Sequence, residues 1–476
     1  MFSPLHSSLL FVKIRDIRKP ILGGSTCRKK LSFGQLLAIG FMLLAMFLGA
    51  GNTIFAPMVG QLAGTNTWVA MVGFLITGVG LVLLAIISLA ISGGTVENLA
   101  SRVGPKFGVL FSIALFLTLG PIYVIPRTTS VVYEVSIAPI LDSTNSGSLI
   151  LFLFSTVFIV LTVLLSLNPS KFVDRLGKII TPIFGTLLAL LIIKSFITPM
   201  GSPNTPKEPY LDNVFFKGFV EGYYTMDVLA AFIFGGIFIK AIQNQGVTGK
   251  KETSIVFIKS GIITVIGLAI LQLSLAWIGA SSVDAIGYAN NGGEVLAYSS
   301  QFLYGDIGLL MIGTVIFLTG ITTNIACLSS VAEYFSRIFP TVSYRKWIYV
   351  LALISLSITN FGLATILDIA SPILLLLYPL SIALIVLSFT NNWFKGRQAV
   401  YVGTMIGTGF VALLDAIKEA GFFVDSINHV FSFIPLFSIG AGWIVTGLIG
   451  AILGFVYTLF NQSDAEIYQM EESKEG

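Results

Sequence analysis

Gly49-Ala50-Gly51-Asn52 interrupts a long apolar run at residues 33–59, and Gly222-Tyr223-Tyr224-Thr225-Met226-Asp227 interrupts a second run at residues 215–239. In hydrocarbon an unpaired backbone amide or carbonyl costs several kcal/mol, so non-helical backbone is expected there only where it lines a cavity walled by protein. Broken spans in matching positions of two halves are typical of the binding site of a secondary transporter. The two stretches therefore predict a solute carrier with its site at the breaks.

Composition places the chain among polytopic helical membrane proteins. Apolar residues make up 55% of the 476 residues and charged residues only 11%, whereas soluble domains carry about 25% charged residues. The apolar runs are long and continuous, which favours membrane helices over the short alternating strands of a barrel. The net charge of +4 does not indicate nucleic-acid binding, because the basic residues lie in short loops where membrane topology explains them. The two cysteines lie far apart and do not predict a disulfide framework.

Twelve apolar runs are each long enough to cross about 30 Å of hydrocarbon as a helix. They fall near residues 33–59, 68–91, 107–126, 148–167, 177–197, 215–240, 255–280, 307–331, 347–366, 371–389, 399–417 and 434–460. The third run is expected to continue past Arg127 toward Ala138. With the N-terminus in the cytoplasm, 22 of the 27 lysines and arginines fall on the cytoplasmic side. This bias predicts twelve spans with both termini in the cytoplasm.

The segments outside the spans are short. Residues 1–32 form a basic leader, which we expect to be cytoplasmic, disordered and attracted to anionic head groups. Residues 198–214 are expected to be an extracellular loop, and residues 461–476 an acidic, disordered cytoplasmic tail. None of these segments is large enough to form a soluble enzyme domain.

The first break offers groups of both polarities. The half-helix before it would end in carbonyls without helical donors, and the half beginning near Asn52 would start with free amides. Such ends suit a zwitterion, with carbonyls facing a cation or ammonium and amides facing a carboxylate. Gly49 and Gly51 permit unwinding and close approach, and the Asn52 side chain adds an oxygen for a metal ion. The alternative is that the glycines serve tight helix packing.

The second break contains Asp227, the most isolated acid of the apolar core. A carboxylate at that depth is costly and usually functional, so it is a candidate to pair with a substrate ammonium or a cation, or to carry a proton. Alternatively it caps the second half-helix, where a negative charge beside the N-terminus is favourable. Tyr223 and Tyr224 either wall an apolar pocket or are packed aromatics.

The eighth run carries the stretch Thr319-Gly320-Ile321-Thr322-Thr323. Adjacent hydroxyls and an exposed carbonyl are hard oxygen ligands of the kind a sodium ion takes in place of water. The alternative is that these threonines bond back to the backbone of their own helix.

Two further pairs have simpler interpretations. Arg127 and Glu134 lie near the predicted outer end of the third run, where they form a gate ion pair or Arg127 extends to the membrane interface. Gly450 and Gly454 form a GxxxG pattern in the twelfth run, which indicates a close helix contact.

At these positions the chain resembles the branched-chain amino acid:cation symporter family, the bacterial carriers of leucine, isoleucine and valine. The resemblance runs from about residue 32 to 460, and its most specific stretches are GAGNTIFAP at 49–57, GYYTMD at 222–227 and PLFSIGAGW at 435–443. The leader before Ser32 departs from the family pattern.

This family belongs to the amino acid–polyamine–organocation superfamily, so the resemblance implies a leucine-transporter-type fold. It implies an all-α membrane protein with two inverted five-helix repeats, at residues 33–197 and 215–389, and two accessory helices at residues 390–460.

The sodium-coupled carriers of the superfamily resemble the chain at the first break and at the eighth run. The resemblance implies a sodium site formed by the carbonyls of Ala45 and Leu48 together with Thr319, Thr322 and Thr323. It further implies that the amides of Ala50 and Gly51 bind the substrate carboxylate and that Asn52 binds a second ion. Asp227 has no counterpart in that motif.

Together these observations predict sodium-coupled, or alternatively proton-coupled, import of leucine, isoleucine and valine across a bacterial plasma membrane. No cofactor besides the coupling ion and no obligate protein partner are expected. One alternative is a carrier of the same fold for proline, a nucleobase or a quaternary amine. Another, from a different class, is a channel or a sensor. An intramembrane enzyme is disfavoured, because the apolar core lacks histidine and a convincing acid pair.

Overall fold

Regular structure in the computed structural model is helical throughout the described residues, which are 31–140, 147–167, 181–247 and 249–460. The α-helices in chain order are α1 (Phe33–Phe47), α2 (Phe55–Ala63), α3 (Thr67–Leu75), α4 (Leu81–Ile91), α5 (Val96–Ala100), α6 (Pro105–Leu117), α7 (Val124–Ser136), α8 (Gly147–Ser166), α9 (Thr181–Ile197), α10 (Val214–Glu221), α11 (Asp227–Asn244), α12 (Lys250–Ile286), α13 (Gly292–Tyr304), α14 (Asp306–Ile338), α15 (Tyr344–Thr359), α16 (Leu363–Thr390), α17 (Gln398–Glu419), α18 (Val424–Phe431) and α19 (Gly442–Phe460). The predicted acidic tail and nearly all of the predicted basic leader lie outside the described residues.

Each of the twelve predicted apolar runs corresponds to one helix or to several consecutive helices. Eight continuous helical segments of the described part are long and apolar enough to cross a membrane, judged by length and composition, and two of these segments combine α2–α4 and α6–α7. Helix α1 and most of α9 are apolar but shorter, and the predicted sixth run consists of α10 and α11. The chain is therefore an all-α, multi-pass membrane protein.

The outward faces of the long helices carry large apolar side chains. Val157, Leu310, Leu353 and Leu453 are between 63% and 70% exposed. Soluble monomers rarely present such side chains over large contiguous areas, whereas lipid tails accept them without cost. The apolar exterior is thus the surface expected of a protein surrounded by a bilayer.

The third span continues past Arg127, as the sequence predicts, but it contains a kink. Helix α6 leads into a π-helical turn at Thr118–Ile122, where Gly120 has non-helical dihedrals (φ −104°, ψ −112°) and Pro121 follows. Proline lacks the amide that would continue the helical ladder, so the axis changes direction here. Helix α7 then continues to Ser136.

Two regions differ from the sequence prediction. The helix of the twelfth run, α19, begins at Gly442 rather than near residue 434. The reason is that Leu436 (φ 65°) and Gly440 (φ 72°) adopt a left-handed backbone conformation that a right-handed helix does not allow. Helix α13 lies where the sequence indicates only an outer loop. It is started by Asn291, whose side chain accepts a hydrogen bond from the amide of Glu294 at 3.0 Å.

The predicted GxxxG contact is present between α17 and α19. A Cβ on Gly450 would lie 2.1 Å from the carbonyl oxygen of Gly403, and one on Gly454 would lie 2.3 Å from that of Ala399. The two backbones therefore approach too closely for any larger residue. The GxxxG pattern therefore forms a contact between two helices of the same chain, which confirms its interpretation as a helix contact.

Candidate functional site at two broken helices

The first break separates α1 from α2, at the position that the sequence predicts. Leu48 leaves the helical region (φ −72°, ψ 63°). The amide of Gly49 donates to the carbonyl of Phe47 at 2.7 Å, and the amide of Asn52 donates to the carbonyl of Gly49 at 2.9 Å. In an unbroken helix these amides would instead bond the carbonyls of Ala45 and Leu48. The break thus releases the two carbonyls implied as sodium ligands from their helical donors.

The second break separates α10 from α11. A short 3₁₀ turn covers Gly222–Thr225, and Met226 adopts a left-handed conformation (φ 64°, ψ 14°). Helix α11 then begins at Asp227, whose amide donates to Oγ1 of Thr225 at 3.5 Å. Asp227 is therefore a first-turn acid, the position in which the carboxylate is favoured by the helix dipole.

The Asn52 side chain joins the two breaks. Its Nδ2 donates to the carbonyl of Phe47 at 2.7 Å, and the same nitrogen donates to Oδ1 of Asp227. Asn52 and Asp227 are 5% and 1% exposed. A side chain of the first break thus holds the carboxylate of the second, and the two sites predicted separately from the sequence are one site.

Arg127 of α7 also belongs to the site, although the sequence predicts it near the outer end of the third run. It is 2% exposed, and its Nη1 donates to the carbonyl of Tyr224 at 2.8 Å and to the hydroxyl of Tyr123 at 3.2 Å. Its Nη2 donates to Oδ1 of Asn52 at 3.5 Å. Both sequence interpretations, a gate ion pair with Glu134 and extension to the membrane interface, are wrong. Tyrosine and carbonyl oxygens inside the protein replace the water that a charged side chain would seek at the interface.

Gly51 provides the space that Arg127 occupies. A Cβ at this position would lie 2.5 Å from Nε, 2.6 Å from Nη2 and 2.7 Å from Cζ of Arg127. The guanidinium therefore rests directly on the backbone of the first break. An arginine in the extension of an apolar run indicates an internal role, but the sequence does not identify its partners.

The threonines of the eighth run, now in α14, differ in their contacts. Thr319 donates to the carbonyl of Val315 at 2.9 Å, and Thr322 donates to that of Thr319 at 2.8 Å. These two hydroxyls therefore bond to the backbone of their own helix, which was the alternative to a role as sodium ligands. Thr323 differs, because its buried Oγ1 has no hydrogen-bond partner and lies 3.0 Å from the place of a Cβ on Gly49.

The two tyrosines of the second break are packed aromatics. The Tyr223 ring stacks on Tyr378 with ring centres 4.4 Å apart, and the Tyr224 ring stacks on Phe55 at 6.1 Å. Tyr224 takes part in the site through its carbonyl, which accepts from Arg127.

A small cavity lies between the breaks, with about 20 Å³ open to water-sized spheres, which is room for roughly one water. Its polar lining includes Asn52, Arg127, Thr128, Thr225, Asp227 and Thr323. Its apolar lining includes Met46, Phe47, Leu119, Val124, Ala230 and Phe234. The predicted site residues that line it are Gly49, Gly51, Asn52, Asp227 and Thr323, whereas Ala45, Leu48, Ala50, Tyr223, Tyr224, Thr319 and Thr322 do not.

Several polar atoms at this cavity lack a protein partner. They are Nε of Arg127, Oγ1 of Thr128, Oδ2 of Asp227 and Oγ1 of Thr323. Leaving a buried polar atom unpaired costs free energy, so such a cluster marks a place where a ligand or ion completes the bonding. Among the described residues no group of three or more histidine, cysteine, aspartate or glutamate side chains is placed to hold a metal. The oxygen atoms at the cavity are hard ligands, which suit hard cations better than zinc or copper.

Comparison with known proteins adds independent information. A family model described as branched-chain amino acid transport protein matches residues 33–461. The chain is 44% identical over 434 residues to branched-chain amino acid permease BraB of Bacillus subtilis, which covers 91% of this chain and 97% of that protein. It is 35% identical over 423 residues to branched-chain amino acid permease BrnQ of Escherichia coli, with coverage of 89% and 95%. These relatives are named permeases, which confirms the prediction of a transport protein rather than an enzyme.

Two solved structures show the same fold. The chain is similar to Mhp1, a nucleobase-cation-symport-1 family transporter, with a TM-score of 0.57, 14% identity and coverage of 89% of this chain and 92% of that one. It is also similar to MhsT in complex with L-phenylalanine, with a TM-score of 0.52, 17% identity and coverage of 88% and 98%. The predicted leucine-transporter-type fold is thereby confirmed.

Proposed function

Since the chain belongs to the branched-chain amino acid transport protein family, we propose that it imports leucine, isoleucine and valine by symport with Na⁺. The proposed setting is a bacterial plasma membrane with both termini in the cytoplasm. The observation that carries the proposal is the convergence of two broken helices on one buried cavity, through the contact of Asn52 with Asp227. In the proposed mechanism, the repeats at 33–197 and 215–389 move against each other and expose that cavity to either side of the membrane in turn.

The proposed ion site lies between the first break and α14. The carbonyls of Ala45 and Leu48 have lost their helical donors, and the hydroxyl of Thr323 is buried without a partner beside Gly49. Carbonyl and hydroxyl oxygens are the ligands that hard cations prefer. An ion bound here neutralises the negative end of α1 and fixes the break from which the substrate is bound. Asn52 remains the proposed ligand of a second ion.

Coupling follows from this shared geometry. An ion that orders the break raises the affinity for substrate, and by linkage the substrate raises the affinity for the ion by the same factor. A cavity that holds roughly one water is too small for leucine, so binding requires the apolar lining to move apart. The alternating exposure of the site is the motion that provides this space.

The apolar lining accounts for the proposed side-chain preference. Each substrate methylene buried against side chains such as Phe47, Val124 and Phe234 contributes about 0.8 kcal/mol to the binding free energy. Branched aliphatic substrates are therefore favoured over small polar ones. Valine and isoleucine differ by one methylene, so their binding free energies should differ by only about 0.8 kcal/mol. Uptake of leucine, isoleucine and valine is therefore expected.

Uptake of labelled leucine into proteoliposomes tests the proposal, with Na⁺ and proton gradients imposed separately. We expect an inward Na⁺ gradient to drive transient accumulation above equilibrium. Thr323→Ala removes an ion ligand and should abolish the overshoot, whereas Thr314→Ala is a matched control, because Thr314 bonds the carbonyl of Leu310 on the same helix.

Three results would count against parts of the proposal. Accumulation driven equally by a proton gradient alone would contradict sodium as the coupling ion. Competition by proline, a nucleobase or choline but not by valine would contradict the substrate class. Ionic conductance far above carrier turnover, without accumulation, would indicate a channel.

A further inference from the structure

Two oppositely charged side chains line the cavity, and each has one polar atom without a hydrogen-bond partner. Arg127 has an unpartnered Nε, and Asp227 has an unpartnered Oδ2. Both side chains line the same small cavity, and within the described part of the chain they do not form an ion pair with each other. The cavity therefore presents one unpaired cationic N–H group and one unpaired anionic oxygen.

The orientation of Arg127 is fixed by its other contacts. Its Nη1 is held by the carbonyl of Tyr224 and the hydroxyl of Tyr123, and the guanidinium lies 4.7 Å from the centre of the Tyr123 ring. The edge formed by Nε and Nη2 lies against Gly51 of the first break, where Nη2 also donates to Oδ1 of Asn52 at 3.5 Å. Two parallel N–H groups on such an edge match the two oxygens of a carboxylate.

Asp227 is held in a similar way. Its Oδ1 accepts from Nδ2 of Asn52, and its amide donates to Thr225. The free Oδ2 is therefore a fixed acceptor, suited to an ammonium group.

From this geometry we propose that Arg127 binds the α-carboxylate of the transported amino acid while Asp227 binds its α-ammonium. The inference rests on the proposed function and adds a residue to it. A zwitterion satisfies both unpaired groups and leaves the net charge of the site unchanged, whereas a solute with one charge leaves the other buried group unmatched. Such unmatched charge is costly at membrane depth. Gly51, whose amide is implied to bind the carboxylate, lies against the guanidinium, so both residues can bind the same group.

The inference is tested by competition binding on the purified full-length protein. Labelled leucine is displaced by leucine, by leucinamide, which has the ammonium but no carboxylate, and by 4-methylpentanoate, which has the carboxylate but no ammonium. For the unmodified protein we expect each analogue to bind on the order of 100-fold more weakly than leucine, because each leaves hydrogen bonds to a buried charge unmade.

The variants separate binding from structure. In Arg127→Gln the preference for leucine over leucinamide should fall to within a few fold of one, because only leucine loses its partner. In Asp227→Asn the preference over 4-methylpentanoate should fall instead. Arg337→Gln is the control, since Arg337 is largely exposed and forms a surface ion pair with Glu97 at 2.7 Å.

The outcomes are distinguishable. Equal weakening of leucine and leucinamide in Arg127→Gln would overturn the inference, because a structural arginine affects both ligands alike. If that variant does not fold, Arg127→Lys keeps the charge without the two-pronged edge, and an unchanged preference over leucinamide would overturn it. Failure of the unmodified protein to bind leucine would overturn the proposed function itself, together with the inference that rests on it.

Discussion

Gly51→Ala tests whether the arginine at the first break acts on the substrate. A Cβ at this position would lie 2.5 Å from Nε of Arg127, whereas ordinary contact begins at 3.4 Å. The guanidinium must therefore shift by about 0.9 Å, or the backbone must yield. Overpacking a buried site costs about 1–3 kcal/mol. A central value of about 2 kcal/mol raises the leucine Kd roughly thirtyfold if it falls wholly on binding.

The assay is equilibrium binding of labelled leucine to the purified protein, with the melting temperature measured in parallel. Gly185→Ala is the matched control, because no atom lies within 4 Å of a Cβ there, and its Kd should not change. In an Arg127→Gln background the shorter side chain removes the clash, so Gly51→Ala should add little further loss. A normal Kd for Gly51→Ala, or strictly additive losses in the double variant, would mean that Arg127 does not act on the substrate from its place beside Gly51.

Three further predictions concern other parts of the structure. Asn52→Ala leaves Oδ1 of Asp227 without its donor, and since an orphaned buried acceptor costs about 1–3 kcal/mol, we expect a clear rise in leucine Kd by the same assay. Cys327 lines the cavity and is 2% exposed; in a background lacking the other cysteine, leucine at 100 times its Kd should slow alkylation by up to about 100-fold. Gly450→Ala forces apart two backbones and should lower the melting temperature while leaving the leucine Kd unchanged.

Each of these predictions has a contradicting result. Unchanged binding in the asparagine variant would mean that the carboxylate is held by other groups. Alkylation that leucine does not slow would place the cysteine away from the substrate. A glycine variant with normal stability would mean that the last two spans are not closely packed.

Much of the fold and the position of the site were predictable from the sequence, for reasons that are local. A run of about twenty apolar residues has few options other than a membrane helix. Paired glycines and a lone acid such as Asp227 are costly in lipid, and their presence in two runs indicated the breaks at residues 49–52 and 222–227. The structure shows non-helical backbone at both places.

The placement of Arg127 was not predictable, because hydropathy measures the cost of a residue in lipid and not its partners in the folded protein. The third run was expected to continue past this residue toward Ala138, but Arg127 was placed near its outer end, where a charge normally meets water. The kink at Gly120 and Pro121 and the absence of a side chain at Gly51 instead bring the arginine against the first break. The approach of these two segments to each other is a property of the tertiary structure.

The roles of the threonines and tyrosines depended on side-chain direction, which the sequence alone left open. Thr323 faces Gly49, while its neighbour Thr322 bonds within its own helix. Tyr223 packs on Tyr378, a residue of α16 that no local pattern connects with it. The short helix α13 was overlooked because it is too short and too polar to register as a span.

Reciprocal binding measurements decide whether substrate and ion share one site built from two broken helices. Leucine affinity of the purified protein is measured at several Na⁺ concentrations, and Na⁺ affinity is measured with and without saturating leucine. The account predicts that each ligand raises the affinity for the other by the same factor, and that Thr323→Ala reduces both factors together. A leucine affinity that does not depend on Na⁺ at any concentration would contradict it.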